Sequence, residues 1–171
     1  MIVGDAIRII DTAEQHIEGA HRCLDIVARE RVHLAFLEAP PLEATRGFIQ
    51  SLLTGGGVHV VAVDADDAVV GWCDIVRDLR EGFRHTGRLG MGLLPDFRGK
   101  GLGAKLALAA IERGWDSGLE RIELEVFASN ARGIALYQKL GFYWEGVKRK
   151  ARALGDTYDD IVFMALTRPS P

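Results

Sequence analysis

Between Leu93 and Gly114 the chain reads LLPDFRGKGLGAKLALAAIERG. Arg98, Lys100 and the glycines Gly99, Gly101 and Gly103 separate an apolar stretch that ends at Pro95 from a helical pattern. The first turn of a helix leaves backbone N–H groups without partners and carries partial positive charge. Glycine lets a ligand approach those N–H groups with no Cβ in the way, and the two cations add full charges. The chemistry on offer is anion binding. A P-loop needs G-x-x-x-x-G-K-[ST], and here neither lysine has that spacing nor a following Ser or Thr to hold magnesium. A dinucleotide fingerprint needs G-x-G-x-x-G, which fails at its third glycine, Leu106. What remains, Arg98-x-x-Gly101-x-Gly103, suits a pyrophosphate. The competing reading is a flexible loop with solvated cations.

The flanking elements must hold that loop in place. Ile7 to Ile10 reads as a short strand, and Thr12 with Gln15 forms a capping box for a helix through about Ala28. Pro41 starts a second helix that runs to about Leu53 and stops at TGGG. Val58 to Val63 and Ala68 to Val76 are apolar strands around a DADD turn. After the polar stretch RDLREGFRH comes a strand, Arg88 to Leu94, and then the loop. The helix from Leu102 runs to about Ser117, where Gly118 supplies a left-handed stop and Leu119 the apolar contact after it. Arg121 to Phe127 alternates as a half-buried strand. Ala131 to Leu140 is a helix stopped by Gly141. Phe142 to Arg149 and Tyr158 to Leu166 pair as a hairpin that turns near Gly155-Asp156. The terminal TRPSP reads as a frayed end.

Bulk properties narrow the partners. A chain of 171 residues with 48% apolar and 26% charged residues builds a core and suits one domain, residues 1–171. A net charge of −3 argues against a general nucleic-acid binder. No uncharged apolar run approaches membrane-spanning length, and Asp5, Arg8 and Asp11 interrupt any secretory segment at the start. Cys23 and Cys73 lack C-x-x-C partners, so they read as two small buried hydrophobes in a reducing, cytoplasmic protein. His33, His59 and His85 are scattered and none is assigned to a metal.

With its flanks, LLPDFRGKGLGAKL resembles the acetyl-CoA loop of the GNAT superfamily of N-acetyltransferases. RIELEVFASNARGIALYQKLGF resembles that superfamily's next strand, its Asn and its Tyr-bearing helix. The resemblance covers roughly residues 6–167. It implies an α/β (α+β) fold: a mixed, mostly antiparallel sheet of about seven strands, splayed at its centre and flanked by about four helices. It also implies site roles. Backbone near Met91 to Leu93 would bond the pantetheine arm of acetyl-CoA, and Gly90 and Gly92 fit such a close approach. N–H groups from Arg98 or Gly99 through Lys100, Gly101, Leu102, Gly103 and Ala104 would cradle the pyrophosphate. Asn130 would hydrogen-bond the pantetheine, and Tyr137 would sit near the sulfur. Gly133 stands where the family commonly has alanine, which weakens the helix by about 0.5–1 kcal/mol.

The implied reaction moves an acetyl group from a thioester to a primary amine by direct attack. Tyr137 is the candidate acid for the departing thiolate. Asn130 and Tyr137 are nearly two helical turns apart and so share a face. The structural alternative makes Asn130 an N-cap and Tyr137 a packing residue beside Ile134 and Leu140. The strand Arg88 to Leu94 carries no Asp or Glu. Candidate bases are therefore Asp74 in GWCDIV, Glu125 in IELEV and Glu38 in FLEAPP, with bulk water as a fourth route. The oxyanion donor implied by the resemblance is a backbone N–H around Leu93.

The acceptor side should come from the first two helices and their connection, with Phe36, Glu38 and Asp74 as candidate contacts. The basic run Lys148, Arg149, Lys150 and Arg152 reads as a solvated hairpin edge. The leading function is acetyl-CoA-dependent acetylation of a small-molecule amine, with no nucleic-acid or membrane partner. Acetylation of a protein N-terminus and a non-catalytic acyl-CoA sensor are the alternatives. Many members of the family form homodimers, so the resemblance implies a homodimer as a partner state.

Overall fold

The computed structural model describes residues 7–169, so the last two residues of TRPSP lie outside it. The strands are β1 (Arg8–Asp11), β2 (Val58–Val63), β3 (Val69–Arg77), β4 (Thr86–Leu93), β5 (Arg121–Phe127), β6 (Tyr143–Leu154) and β7 (Thr157–Thr167). The helices are α1 (Ile17–Arg29), α2 (Leu42–Thr54), α3 (Leu102–Asp116) and α4 (Ala131–Lys139). The seven strands form one sheet in the order β1-β2-β3-β4-β5-β7-β6. Every neighbouring pair is antiparallel except β4 and β5.

All six residues of β2 are buried, as a sheet covered on both faces requires. Strand alternation assigns the faces. Val58, Val60 and Ala62 pack with Leu106 and Ala110 of α3. Val61 and Val63 pack with Cys23 and Val27 of α1 and Ile49 of α2. On β3, Cys73 and Ile75 join the α3 side and Trp72 the α1/α2 side. His59 and Asp74 are cross-strand partners, and by the same alternation both belong to the α1/α2 side. Leu89 and Leu93 of β4 turn towards α3, which leaves Gly90 and Gly92 on the face opposite.

The centre of the sheet opens. β4 and β5 pair only from Thr86↔Arg121 to Arg88↔Glu123. Both strands continue beyond that register, while β4 stays paired to β3 as far as Leu93↔Gly71. One edge of β4 from Leu89 onward is therefore without a strand partner.

Some local expectations need correction. Thr12 does not form a capping box with Gln15. A single 3₁₀ turn, Glu14–His16, precedes α1, and the Thr12 hydroxyl lies 2.7 Å from His59 Nδ1. The Ala13 N–H donates instead to His16 Nδ1 at 3.1 Å. Burial of Thr12 against β2 commits its hydroxyl to a tertiary partner. β4 begins at Thr86, ahead of Arg88, because Thr86 pairs with Arg121 of β5 and Gly87 pairs with both Arg77 and Ile122 despite their turn-like composition. The hairpin strands are longer than expected because an irregular register between Lys148 and Arg152 absorbs the basic run. Lys150 there has φ +48°. Gly118 and Gly141 close α3 and α4 with φ of +89° and +93°, as their positions imply. Cys23 and Cys73 are both free and buried. Among the described residues no helix is long and apolar enough to cross a membrane.

Candidate active site

The glycine-rich loop leaves β4 through a 3₁₀ turn, Pro95–Phe97. Gly99 and Gly101 then take φ of +74° and +80°, a conformation that disfavours residues with a Cβ. No atom lies within 4 Å of a Cβ built on either glycine, so the space over the loop is open. The Arg98 N–H closes the turn onto the Pro95 carbonyl at 3.2 Å. Among the described residues, the N–H groups from Gly99 through Ala104 donate to no backbone carbonyl; the first helical bond is Lys105 to Gly101 at 3.3 Å. Those free donors at the start of α3 have the chemistry to receive an anion.

The Arg98 side chain is committed elsewhere. Its Nη1 and Nη2 donate to Glu30 Oε2 and Oε1 at 2.7 and 2.6 Å, and its Nε and Nη2 donate to the Leu93 carbonyl at 2.9 and 2.7 Å. The guanidinium therefore fastens the end of β4 to the residue after α1, and holds the Glu30 carboxyl below its usual range. Lys100 Nζ reaches the Asp96 carbonyl at 2.9 Å. Leu102 is a buried core residue.

A cavity of about 420 Å³ fills the split between β4 and β5. Its wall brings together Met91, Leu93, Arg98, Gly99, Gly101, Gly103, Ala104, Asn130 and Tyr137, all singled out from the sequence. Glu125 is exposed on the same wall. Asn130 caps α4, its Oδ1 accepting the Gly133 N–H at 2.9 Å. A Cβ at position 133 would stand 2.6 Å from Asn130 Nδ2. Glycine here makes room for the Asn130 side chain, which accounts for the departure from alanine. Tyr137 packs edge-on to Phe142, with ring centroids 5.7 Å apart. Burial pushes its phenol well above the usual range, so the proton stays on.

A second cavity of about 380 Å³ lies between the sheet and α1/α2 and shares Leu34, Ala35, Gly90 and Met91 with the first. Phe36 and Asp74 are on its wall. Trp72 Nε1 donates to Asp74 Oδ2 at 3.2 Å. A Cβ on Gly90 would stand 3.4 Å from that same oxygen, so the carboxyl rests over the shared wall. Burial pushes the Asp74 carboxyl up to about 7, with the Trp72 hydrogen bond opposing. Burial likewise pushes His59 down to about 4, which leaves that ring neutral. Glu38 lines neither cavity; it is exposed and pairs with Arg29 at 3.3 Å. Among the described residues no group of three or more His, Cys, Asp or Glu is placed to hold a metal ion.

Three wall or anchor residues were not legible beforehand. Thr45 lies in a helix expected on the acceptor side but was not singled out, His59 sits in an apolar strand, and Glu30 lies far from Arg98 in sequence. Arg152, from the basic run, donates to the carbonyls of Arg31 and Val32 at 2.5 and 3.3 Å and covers the Phe127 ring at 4.3 Å. That run therefore ties the hairpin to the connection between α1 and α2.

Residues 20–142 match the Acetyltransferase (GNAT) family. The L-methionine sulfoximine/L-methionine sulfone acetyltransferase of Pseudomonas paraeruginosa is 36% identical over 118 residues, covering 66% of this chain and 68% of its own. The [ribosomal protein bS18]-alanine N-acetyltransferase of Salmonella typhimurium is 39% identical over 72 residues, covering 42% of this chain and 49% of its own. A solved acetyltransferase structure from Acinetobacter baylyi superposes with TM-score 0.91 at 21% identity, covering 100% of this chain and 97% of that one. A phosphinothricin acetyltransferase from Sinorhizobium meliloti, solved in complex with acetyl-CoA, superposes with TM-score 0.88 at 20% identity over 94% and 88% of the two chains. The chain belongs to the GNAT family and is an N-acetyltransferase that uses acetyl-CoA.

Proposed function

We propose that this enzyme acetylates the primary amine of a small molecule by direct transfer between its two cavities. The observation that carries the reading is their common wall at Gly90 and Met91, with Asp74 on one side and Tyr137 on the other. Acetyl-CoA supplies an activated acyl thioester. Its pyrophosphate would take the free N–H groups from Gly99 to Ala104, and its pantetheine arm the open edge of β4 and Asn130. Arg98 contributes by setting the loop, because its charge is already matched by Glu30. An amine arrives mostly as ammonium at neutral pH and must lose a proton before it attacks. Asp74, with a carboxyl near 7, is poised to accept it. Tyr137 keeps its proton until a thiolate forms beside it, and then donates. Glu125 is too exposed to share the first task, and Glu38 faces away from both cavities.

A small-molecule acceptor is consistent with the named substrate of the Pseudomonas relative, and a protein N-terminus with that of the Salmonella one. The second cavity, a small apolar recess between the sheet, α1 and α2, favours the former. The test is release of coenzyme A thiol from acetyl-CoA across amines, amino acids, polyamines and short peptides, with the acetylated product identified by mass. Turnover with a small amine supports the reading. Turnover with peptides alone overturns it in favour of N-terminal acetylation, and acetyl-CoA binding with no turnover favours a sensor.

A further inference from the structure

Resting on the function proposed above, we infer that the acceptor is an apolar primary monoamine, without a carboxylate or a second ammonium, and that the Thr45 hydroxyl meets a neutral polar atom on it. The second cavity is walled by Leu24, Leu34, Phe36, Phe48 and Ile49 together with Trp72. Among the described residues no lysine or arginine lines it. A carboxylate entering there would shed water, find no cation and face Asp74, an arrangement strongly disfavoured in a largely apolar site. A second ammonium fares no better. Among the described residues Asp74 is the only carboxyl on the wall, and it must serve the amine that reacts. His59 offers no charge, since its Nδ1 is engaged with Thr12 and burial keeps the ring neutral.

Thr45 gives the cavity its remaining polar feature. It is 6% exposed, and its Oγ1 is the buried side-chain polar atom that lacks a hydrogen-bond partner among the described residues. Its place on the cavity wall makes a bound molecule the natural partner. The geometry therefore calls for an alkyl or aryl body, one reactive amine near Gly90, and one hydroxyl or carbonyl turned towards α2.

Matched pairs test this directly, each assayed by thiol release with the full chain and saturating acetyl-CoA. 2-Phenylethylamine and phenylalanine differ by a carboxylate; pentylamine and pentane-1,5-diamine differ by an ammonium. The member without the extra charge should have the higher kcat/KM by about tenfold or more. Tyramine adds a hydroxyl to 2-phenylethylamine. Thr45→Val should lower the tyramine to 2-phenylethylamine ratio of kcat/KM by about fivefold. Equal or better turnover of phenylalanine or the diamine overturns the inference about charge. An equal effect of Thr45→Val on both arylamines makes Thr45 structural and overturns its assigned contact. Turnover confined to amino acids or diamines overturns this inference alone, whereas turnover confined to peptides overturns the proposed function as well. Absence of turnover with every amine overturns the proposed function as well.

Discussion

The proposed division of proton work between Tyr137 and Asp74 gives each residue its own signature. Tyr137→Phe removes a hydroxyl that makes no hydrogen bond to a described residue, so the fold should persist. kcat should fall by about 100-fold or more while the Kd of acetyl-CoA, by calorimetry, holds constant. Asp74→Asn should lower kcat/KM by a comparable factor and flatten the rising limb that wild type shows near pH 7. Stability gives a second check. The Asp74 carboxyl sits at about 7 in the fold against an ordinary 3.8, so the native state binds its proton more tightly than the unfolded chain. The stabilisation tied to that proton is complete below 3.8 and lost as pH climbs to 7. Asp74→Asn should therefore gain on wild type in melting temperature between pH 4 and pH 7. At this scale the sequence was informative where residue type and helical spacing coincide. Asn130 and Tyr137 share a wall because they are nearly two turns apart. Thr45 was hidden because a threonine in an amphipathic helix looks the same whether its hydroxyl is satisfied or waiting.

Elements locate these groups, and two junctions dominate. At the start of α4, Gly133→Ala should gain about 0.5–1 kcal/mol of helix propensity and lose about 1 kcal/mol of cap as the Asn130 side chain is displaced. Net stability, read by thermal melting, should change little. The KM for acetyl-CoA should still rise several-fold, because the displaced side chain is the one assigned to the pantetheine. At the start of α3, Glu30→Gln should destabilise the fold by about 1–2 kcal/mol, since Arg98 then holds β4 without a matching charge. Lys100→Ala, at an exposed position, should leave the melting curve unchanged. The loop itself was legible because glycines at two left-handed positions and a helix start are local properties. The Glu30 partner was not, because a pairing across 68 positions leaves no periodic trace. The same limit explains Thr12, whose hydroxyl serves His59 and not the helix that follows it.

The whole molecule is a sheet that opens at its centre and is covered on both faces. α3 packs under one face, beneath the first cavity, and α1 and α2 roof the second. β4 is the shared floor, with leucines turned to one side and glycines to the other, so two ligands reach one strand from different directions. Strand alternation in β5 and the apolar run of β2 made these strands readable from sequence. The parting of β4 and β5 after Arg88↔Glu123 is a long-range outcome that entered only through the family resemblance. Direct passage of acetyl from one cavity to the other, as proposed, has a kinetic signature in initial velocities with acetyl-CoA and a primary monoamine both varied. Double-reciprocal lines that intersect are the expected result, because both substrates must be bound before chemistry occurs. Parallel lines would mean that coenzyme A leaves before the amine enters, and would rule out direct transfer.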